Sequence, residues 1–289
     1  MARALSKLIA EKKLEPPRRT IRFVWPAEVE GTLALLNGRP EIARRIKAAI
    51  HLDMVGGAPA ATKAIFHVTR GPASQPSFIY DIAQTVGELV NEQTDAYAST
   101  GVARYPLAAP EGGKEALQAS FVPLTLGSDH EVYADSTFGI PAIYLNDWPD
   151  RYIHTNFDVP ANIDPTKLLR AGFIAAVSGY VLSRLDPTST QAMVDMIQTH
   201  GLERAAAAMR KHDPNALEFA MWYEHAMFQS LERFGMHTSA EPLLKLPIRK
   251  DPPRSGPIYR RNMNVKGPMS VFGYDYFADH YPKAKDLKL

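Results

Sequence analysis

Cysteine is absent from this 289-residue chain, which excludes a disulfide framework and thiolate chemistry. An excess of charge of one sign is missing too, since 33 basic residues face 31 acidic ones for a net charge of +2. No basic run is interleaved with aromatics, so no nucleic-acid partner is expected. No apolar stretch has the length of a membrane span, and the first twenty residues lack the long apolar centre of a signal peptide. As written, the chain reads as cytoplasmic with no membrane partner. A leader upstream of the given sequence would instead make it exported. Internal repeats and low-complexity tracts are also lacking.

What remains is an ordinary globular composition, 45% hydrophobic and 22% charged, enough for a substantial core. The N-terminus reads as an amphipathic helix over Arg3–Leu14, with Leu5, Leu8 and Ile9 on one face. The apolar run Ile21–Trp25, bracketed by Pro16-Pro17 and Pro26, reads as a buried strand. The carboxylates Glu28 and Glu30 follow it, and then short helical patterns. A second strand, Ala48–Val55, carries Asp53 near its end before Gly56-Gly57. Acids at the carboxyl ends of strands are where open α/β sheets place their sites.

Further along, Ala64–Val68 reads as a strand, Phe78–Ala96 as a long helix, and Phe121–Leu126 and Ala142–Leu145 as short strands. Ser128-Asp129-His130 sits in one loop, and His154 and Asp158 in another. Pro165–Leu185 is helical, with Leu169, Phe173, Val177 and Tyr180 on one stripe. Asp186-Pro187 opens a region of two helical patterns divided at Asp213-Pro214, the second carrying Leu217, Ala220, Met221, Phe228 and Leu231 on its core face. A Pro-rich tail follows, and its aromatic cluster Phe272, Tyr274, Tyr276 and Phe277 is expected to pack back. The expected architecture is α/β, a three-layer sandwich with a mostly parallel mixed sheet over residues 1–186, then a helical C-terminal region over 187–289.

Metal-assisted hydrolysis needs oxygen and imidazole ligands converging from several strand ends, with a carboxylate beside the metal-bound water. Glu28, Glu30, Asp53 and His154 lie where they could converge. In an extended segment Glu28 and Glu30 point to the same side, so one could act as base and the other as ligand. Each has a plainer reading as a solvated loop group, and both glutamates would suit a helix N-terminus. His51 shares a strand face with Asp53 but reads more simply as a satisfied histidine, as do His67, His200, His212, His225, His237 and His280.

The strings PAEVEGT, AAIHLDMVGG, GSDHEVYADSTFGIPAIYL and YIHTNFDVPANID together resemble the zinc aminopeptidase family. That family includes the bacterial leucyl aminopeptidases and has glutaminyl cyclases among its relatives. The resemblance covers about residues 18–185, and RRNMNVKGPMSVFGYDYF resembles the C-terminal extension of larger bacterial members. It implies a peptide substrate with a free N-terminus and zinc as cofactor, two ions in the family and one or none here. By the same resemblance Glu28 is the general base, Asp53 and His154 are metal ligands, and Asp129 is a supporting acid beside the site. The family places a ligand carboxylate directly after the base, where this chain has Val29. Glu30 is the substitute. The family's His-x-Asp motif and bridging aspartate precede the base, yet the 27 residues before Glu28 contain neither His nor Asp. The N-terminal part of the domain is therefore expected to be missing and activity to be impaired. A glutaminyl-cyclase-like transferase and a non-catalytic binding module are the alternatives. An uncovered sheet edge would favour a homo-oligomer.

Overall fold

Successive residues of a strand point to opposite faces of its sheet, with a period of two. Strand β1 (Ala49–Asp53) does this. Ile50 and Leu52 join the main hydrophobic core, whereas His51 lies on the other face, stacked on Tyr144. Strands β2 (Ile65–Thr69) and β4 (Ala142–Trp148) follow the same rule. Phe66, Val68, Ile143 and Leu145 are buried in the core, and Thr69 and Asn146 bond to each other on the opposite face. With β3 (Ser120–Val122) these strands form a four-stranded sheet in the order β1-β4-β2-β3. The β1–β4 and β2–β3 pairs are parallel and the β2–β4 pair is antiparallel. The sheet is thus mixed and mostly parallel, with β1 and β3 as its outer strands. Each fully buried Ile or Leu of β4 contributes about 1.5–3 kcal/mol through removal of apolar surface from water.

The computed structural model describes residues 1–212 and 214–244. The tail aromatics, His280 and the RRNMNVKGPMSVFGYDYF segment lie outside the described residues. Helix α1 (Ala2–Ala10) is shorter than the sequence pattern. On the polar side of the sheet lie α2 (Glu30–Gly38), α3 (Pro40–Ala43) and, after the short α4 (Pro59–Thr62) and the long α5 (Ile79–Thr100), the five-residue α6 (His130–Ala134). Leu36, Ala43, Val132 and Ile140 make a small second core there. The apolar face is covered by α5 and α7 (Pro165–Arg184), with α8 (Thr190–Arg210) and α9 (Pro214–Ser230) packed outside them. Helices therefore lie on both faces of an α/β sheet, followed by a helical C-terminal region. The core runs on across Asp186-Pro187, because Val194, Ile197, Met227, Phe228 and Leu231 belong to the same cluster as the strands.

Two expectations are corrected. Ile21–Trp25 is not a buried strand: the segment has no regular structure, and Trp25 is 86% exposed. Its composition suited a strand, but a strand also needs a ladder partner. Just upstream, the amides of Arg18 and Arg19 both donate to the single carbonyl of Ser183 at the end of α7. Of the Leu169–Tyr180 stripe of α7, Phe173 and Val177 pack partly buried against the core, and the fully buried face is a neighbouring one. It is made by Thr166, Lys167, Arg170, Ala171, Ile174, Ala175, Ser178 and Leu182, and Leu169 is exposed. Polar groups can line that face because each is committed. Arg170 donates to the carbonyls of Leu107 and Glu115, and Lys167 pairs with Asp147 of β4 at 2.6 Å.

Glycine is required where β1 turns toward α7. A Cβ on Gly56 would come within 2.6 Å of the Leu168 side chain. The next residue, Gly57, donates its amide to Asp147 Oδ2 at 3.0 Å. Asp164 caps α7 by accepting from the Thr166 amide, with Pro165 in the first turn, so α7 starts at a fixed point beside that turn.

Burial pushes the Asp147 carboxyl up, and Lys167 opposes the shift. Lys167→Met would leave an unpaired buried carboxylate and is expected to cost about 3–5 kcal/mol. Denaturant midpoints check this, and adding Asp147→Asn to Lys167→Met should restore part of the loss.

Candidate active site

The polar face of the sheet, the turn before α2 and the loop before α6 meet at one side chain. Ser128 Oγ lies 2.8 Å from Glu28 Oε1, 3.1 Å from Asp53 Oδ2 and 2.8 Å from His51 Nε2. Ser128 is buried, His51 and Asp53 are half-buried, and Glu28 is exposed. Glu28 and Asp53, 25 residues apart in the chain, thus share one hydroxyl. That hydroxyl has a single proton and two lone pairs. It can donate to only one of the two carboxylates at a time, and His51 Nε2 meets the same oxygen.

Burial holds the His51 imidazole below its usual pKa, and the negative charges of Asp129, Asp53 and Glu28 only partly offset this. His51 is thereby kept a neutral hydrogen-bonding group at pH 7. The neighbouring His130 ring stacks on Tyr144 with centroids 4.0 Å apart and bonds the Thr125 carbonyl at 2.7 Å. Burial pushes His130 down to about 4.

Glu28 is presented by a strained turn. Val29 has φ 58° and ψ −65°, and the Glu30 amide donates to the Glu28 carbonyl at 2.7 Å. These are the marks of a γ-turn with positive φ, which costs a β-branched residue about 1–3 kcal/mol. The Val29 amide donates to Asp129 Oδ1 at 3.0 Å, so the acid expected to support the site holds this turn. The turn also corrects the expectation that Glu28 and Glu30 lie in an extended segment on one side. Glu30 instead begins α2 and is exposed, where the helix N-terminus favours negative charge.

His154 lies apart from this hub in the contacts it makes. It is exposed, has φ 58° and sits in the loop between β4 and α7. The hydrogen bonds around it are local, from Thr155 Oγ1 to the Tyr152 carbonyl and from the Asp158 amide to the Thr155 carbonyl. Among the described residues, Glu28, Glu30, Asp53 and His154 do not form a set of three donors within 4.8 Å of one another. The one set that does is Glu88, His200 and Glu203. Zinc draws its ligands to about 2.0–2.2 Å from one point, so the four residues as placed do not fit a coordination shell. No step is derived through a metal at this position. The sequence reading missed Ser128 as the hub and assigned His51 the plainer role. The available signal was the shared strand face of His51 and Asp53.

The depressed His130 value has a consequence for stability. Above pH 6.5 both folded and unfolded chains hold this ring neutral, and stability is unaffected. Between about 6.5 and 4 the unfolded chain binds a proton that the folded chain refuses, so stability falls with falling pH by up to about 1.4 kcal/mol per unit. His51 acts in the same direction. His130→Phe, which keeps the stack on Tyr144, should flatten this slope by about one proton in urea titrations at stepped pH.

No curated protein matches the chain. Among solved structures, the crystal structure of a candidate peptidase from Clostridium acetobutylicum at 2.37 Å is similar at 14% identity and a TM-score of 0.39. The match covers 61% of this chain but 35% of that one, so this chain spans about a third of its neighbour's length, and a score that low supports no inference. The profile of peptidase family M28 matches residues 1–178, more than half of the chain, and on that match the chain belongs to peptidase family M28.

Proposed function

We propose that this chain carries the proton-transfer part of an aminopeptidase-type hydrolase acting on peptides with a free N-terminus, with zinc as the expected cofactor. The observation that carries the reading is the meeting of Glu28 and Asp53 at Ser128 in a member of a peptidase family. Glu28 is the proton acceptor. It is the exposed member of the hub, and its Oε1 is fixed by the buried Ser128 hydroxyl. Ser128 orients Glu28 and Asp53 together, and His51 supplies a neutral hydrogen bond that adds no charge. Asp129 keeps Val29 in its turn and thereby sets where Glu28 points.

The zinc ligands implied by resemblance are Asp53 and His154. The exposure of His154 favours a second reading, in which the chain by itself is a binding module of low hydrolytic activity. Both readings expect weak zinc binding at these residues.

Aminoacyl p-nitroanilides, their N-acetylated forms and N-terminal glutamine peptides, each with and without zinc, separate the readings. Hydrolysis of the free-amine substrates alone supports the aminopeptidase. Cyclisation of N-terminal glutamine identifies a glutaminyl-cyclase-like transferase, and no turnover with retained peptide binding identifies a binding module. If the chain is active, Glu28→Gln should lower kcat by about 10²–10⁴, the usual contribution of a general base, with little change in KM.

A further inference from the structure

Away from the Ser128 hub, α5 and α8 bring together a second set of ligand-type side chains. Glu88 lies on α5, and His200 and Glu203 lie one turn apart on α8. One donor atom from each falls within 4.8 Å of the other two. His200 is 4% exposed, whereas the Glu203 side chain is 54% exposed. The set is therefore a buried imidazole with a carboxylate at its open side. We propose that this seam binds one borderline divalent cation, of the zinc or cobalt(II) class, and that the ion ties α8 to α5.

The hydrogen bonds around the three residues carry the proposal. His200 Nε2 is 2.9 Å from Thr85 Oγ1, and Nδ1 is 2.9 Å from Glu203 Oε2. When Nε2–H donates to the threonine, the Nδ1 lone pair faces a carboxylate oxygen. A metal ion on that side would meet the lone pair and the carboxylate together; in the other tautomer Nδ1–H donates to Glu203 and the Thr85 hydroxyl donates to Nε2. An imidazole whose second nitrogen donates to a fixed oxygen is the usual state of a metal-bound histidine.

Gln84 organises the two carboxylates. Its amide donates to Glu88 Oε1 at 2.7 Å and to Glu203 Oε2 at 3.4 Å. Arg70 holds the Gln84 carbonyl oxygen, which turns the amide toward the acids. The cations nearby are committed, Arg70 to Gln84 and Arg204 to Asp81 at 2.7 Å. Among the described residues neither Glu88 nor Glu203 is paired with Lys or Arg. Two carboxylates therefore converge on a neutral amide and a histidine, and a divalent cation offsets their repulsion by displacing at most the one proton on Nδ1. One imidazole with two carboxylates suits zinc, whereas magnesium prefers an all-oxygen shell. Closing the set from 4.8 Å needs movement mainly of the exposed Glu203 side chain.

The test uses the full chain, stripped with a chelator and titrated with zinc or cobalt(II) by calorimetry, cobalt absorption and thermal unfolding. Wild type should take up one equivalent at this seam, and Glu28→Gln/Asp53→Asn should bind it equally well. Glu203→Gln or His200→Gln should weaken it at least tenfold. Saturating zinc should raise the unfolding midpoint by about 2 °C or more in wild type, with no rise in either seam variant and none with magnesium. The proposal is overturned if wild type binds no zinc, if Glu203→Gln binds as wild type does, or if the Glu28→Gln/Asp53→Asn pair abolishes uptake. Should His200→Gln fail to fold, the exposed Glu203 position decides alone. None of these readouts uses peptidase turnover, so an inactive chain leaves the result readable.

Discussion

A sheet with one apolar face and one polar face is the constraint on which the remaining structure depends. Across β1, β4 and β2, the in-register set Leu52, Leu145 and Val68 points into the core, and the next set, Asp53, Asn146 and His67, points away from it. Slipping β1 by one residue would exchange these sets. It would push an imidazole and a carboxylate into hydrocarbon and turn Ile50 and Leu52 toward α6. Register and site are therefore one requirement. The same apolar contacts that stabilise the sheet fix His51 and Asp53 on the side where Ser128 waits.

The polar face is closed by short elements, each of which needs a specific polar contact. Three consecutive residues before and within α6 divide the work. Ser128 bonds the acids and His51, Asp129 takes the Val29 amide, and His130 stacks on Tyr144. A five-residue helix and a γ-turn have little intrinsic stability. The polar contacts offset a strained backbone next to Glu28, which is where strain is found when geometry at a reacting group must be held. The segment Ile21–Trp25 shows the converse. It has the apolar side chains of a strand and no ladder to join, so Val24 and Trp25 stay exposed.

Much of this was legible in the chain itself. The strands of Asp53 and Leu145, the helices from Ile79 and Pro165, and the start of α9 at Pro214 all follow from periodicity and from Pro and Gly placement. Asp164 followed by Pro165 reads directly as a helix start, and it is one. The failures share a cause. Whether Ile21–Trp25 pairs, which stripe of α7 is buried, and whether Glu28 and Glu30 share a side all depend on partners distant in sequence. Lys167 on a buried helix face is unreadable without Asp147, and a γ-turn at a valine contradicts local preference. Ser128 could be noticed as part of a motif, but its position between two acids is a property of the fold.

The molecule contains two gatherings of the same donor types, and their difference is instructive. Around Ser128 an imidazole and two carboxylates are spread about a hydroxyl, at hydrogen-bond distance from it and too far from one another to share an ion as placed. Between α5 and α8 an imidazole and two carboxylates lie within 4.8 Å of one another, with an amide bonded to both acids. A hydroxyl can donate only once, so the first cluster holds its two carboxylates on one shared donor. An amide donates twice and carries no charge, so it can hold two carboxylates together without neutralising them, and the second cluster keeps its demand for a cation. Nearby, Glu224 meets the third solution. Burial pushes its carboxyl up to about 7, and Gly201 of α8 leaves room for it, since a Cβ there would lie 2.4 Å from the carboxyl group. Near neutral pH that acid meets the cost of burial by taking up a proton. The three acid sites thus differ chiefly in the groups that their oxygens meet, and that local chemistry, more than the count of ligands in the sequence, assigns each its role.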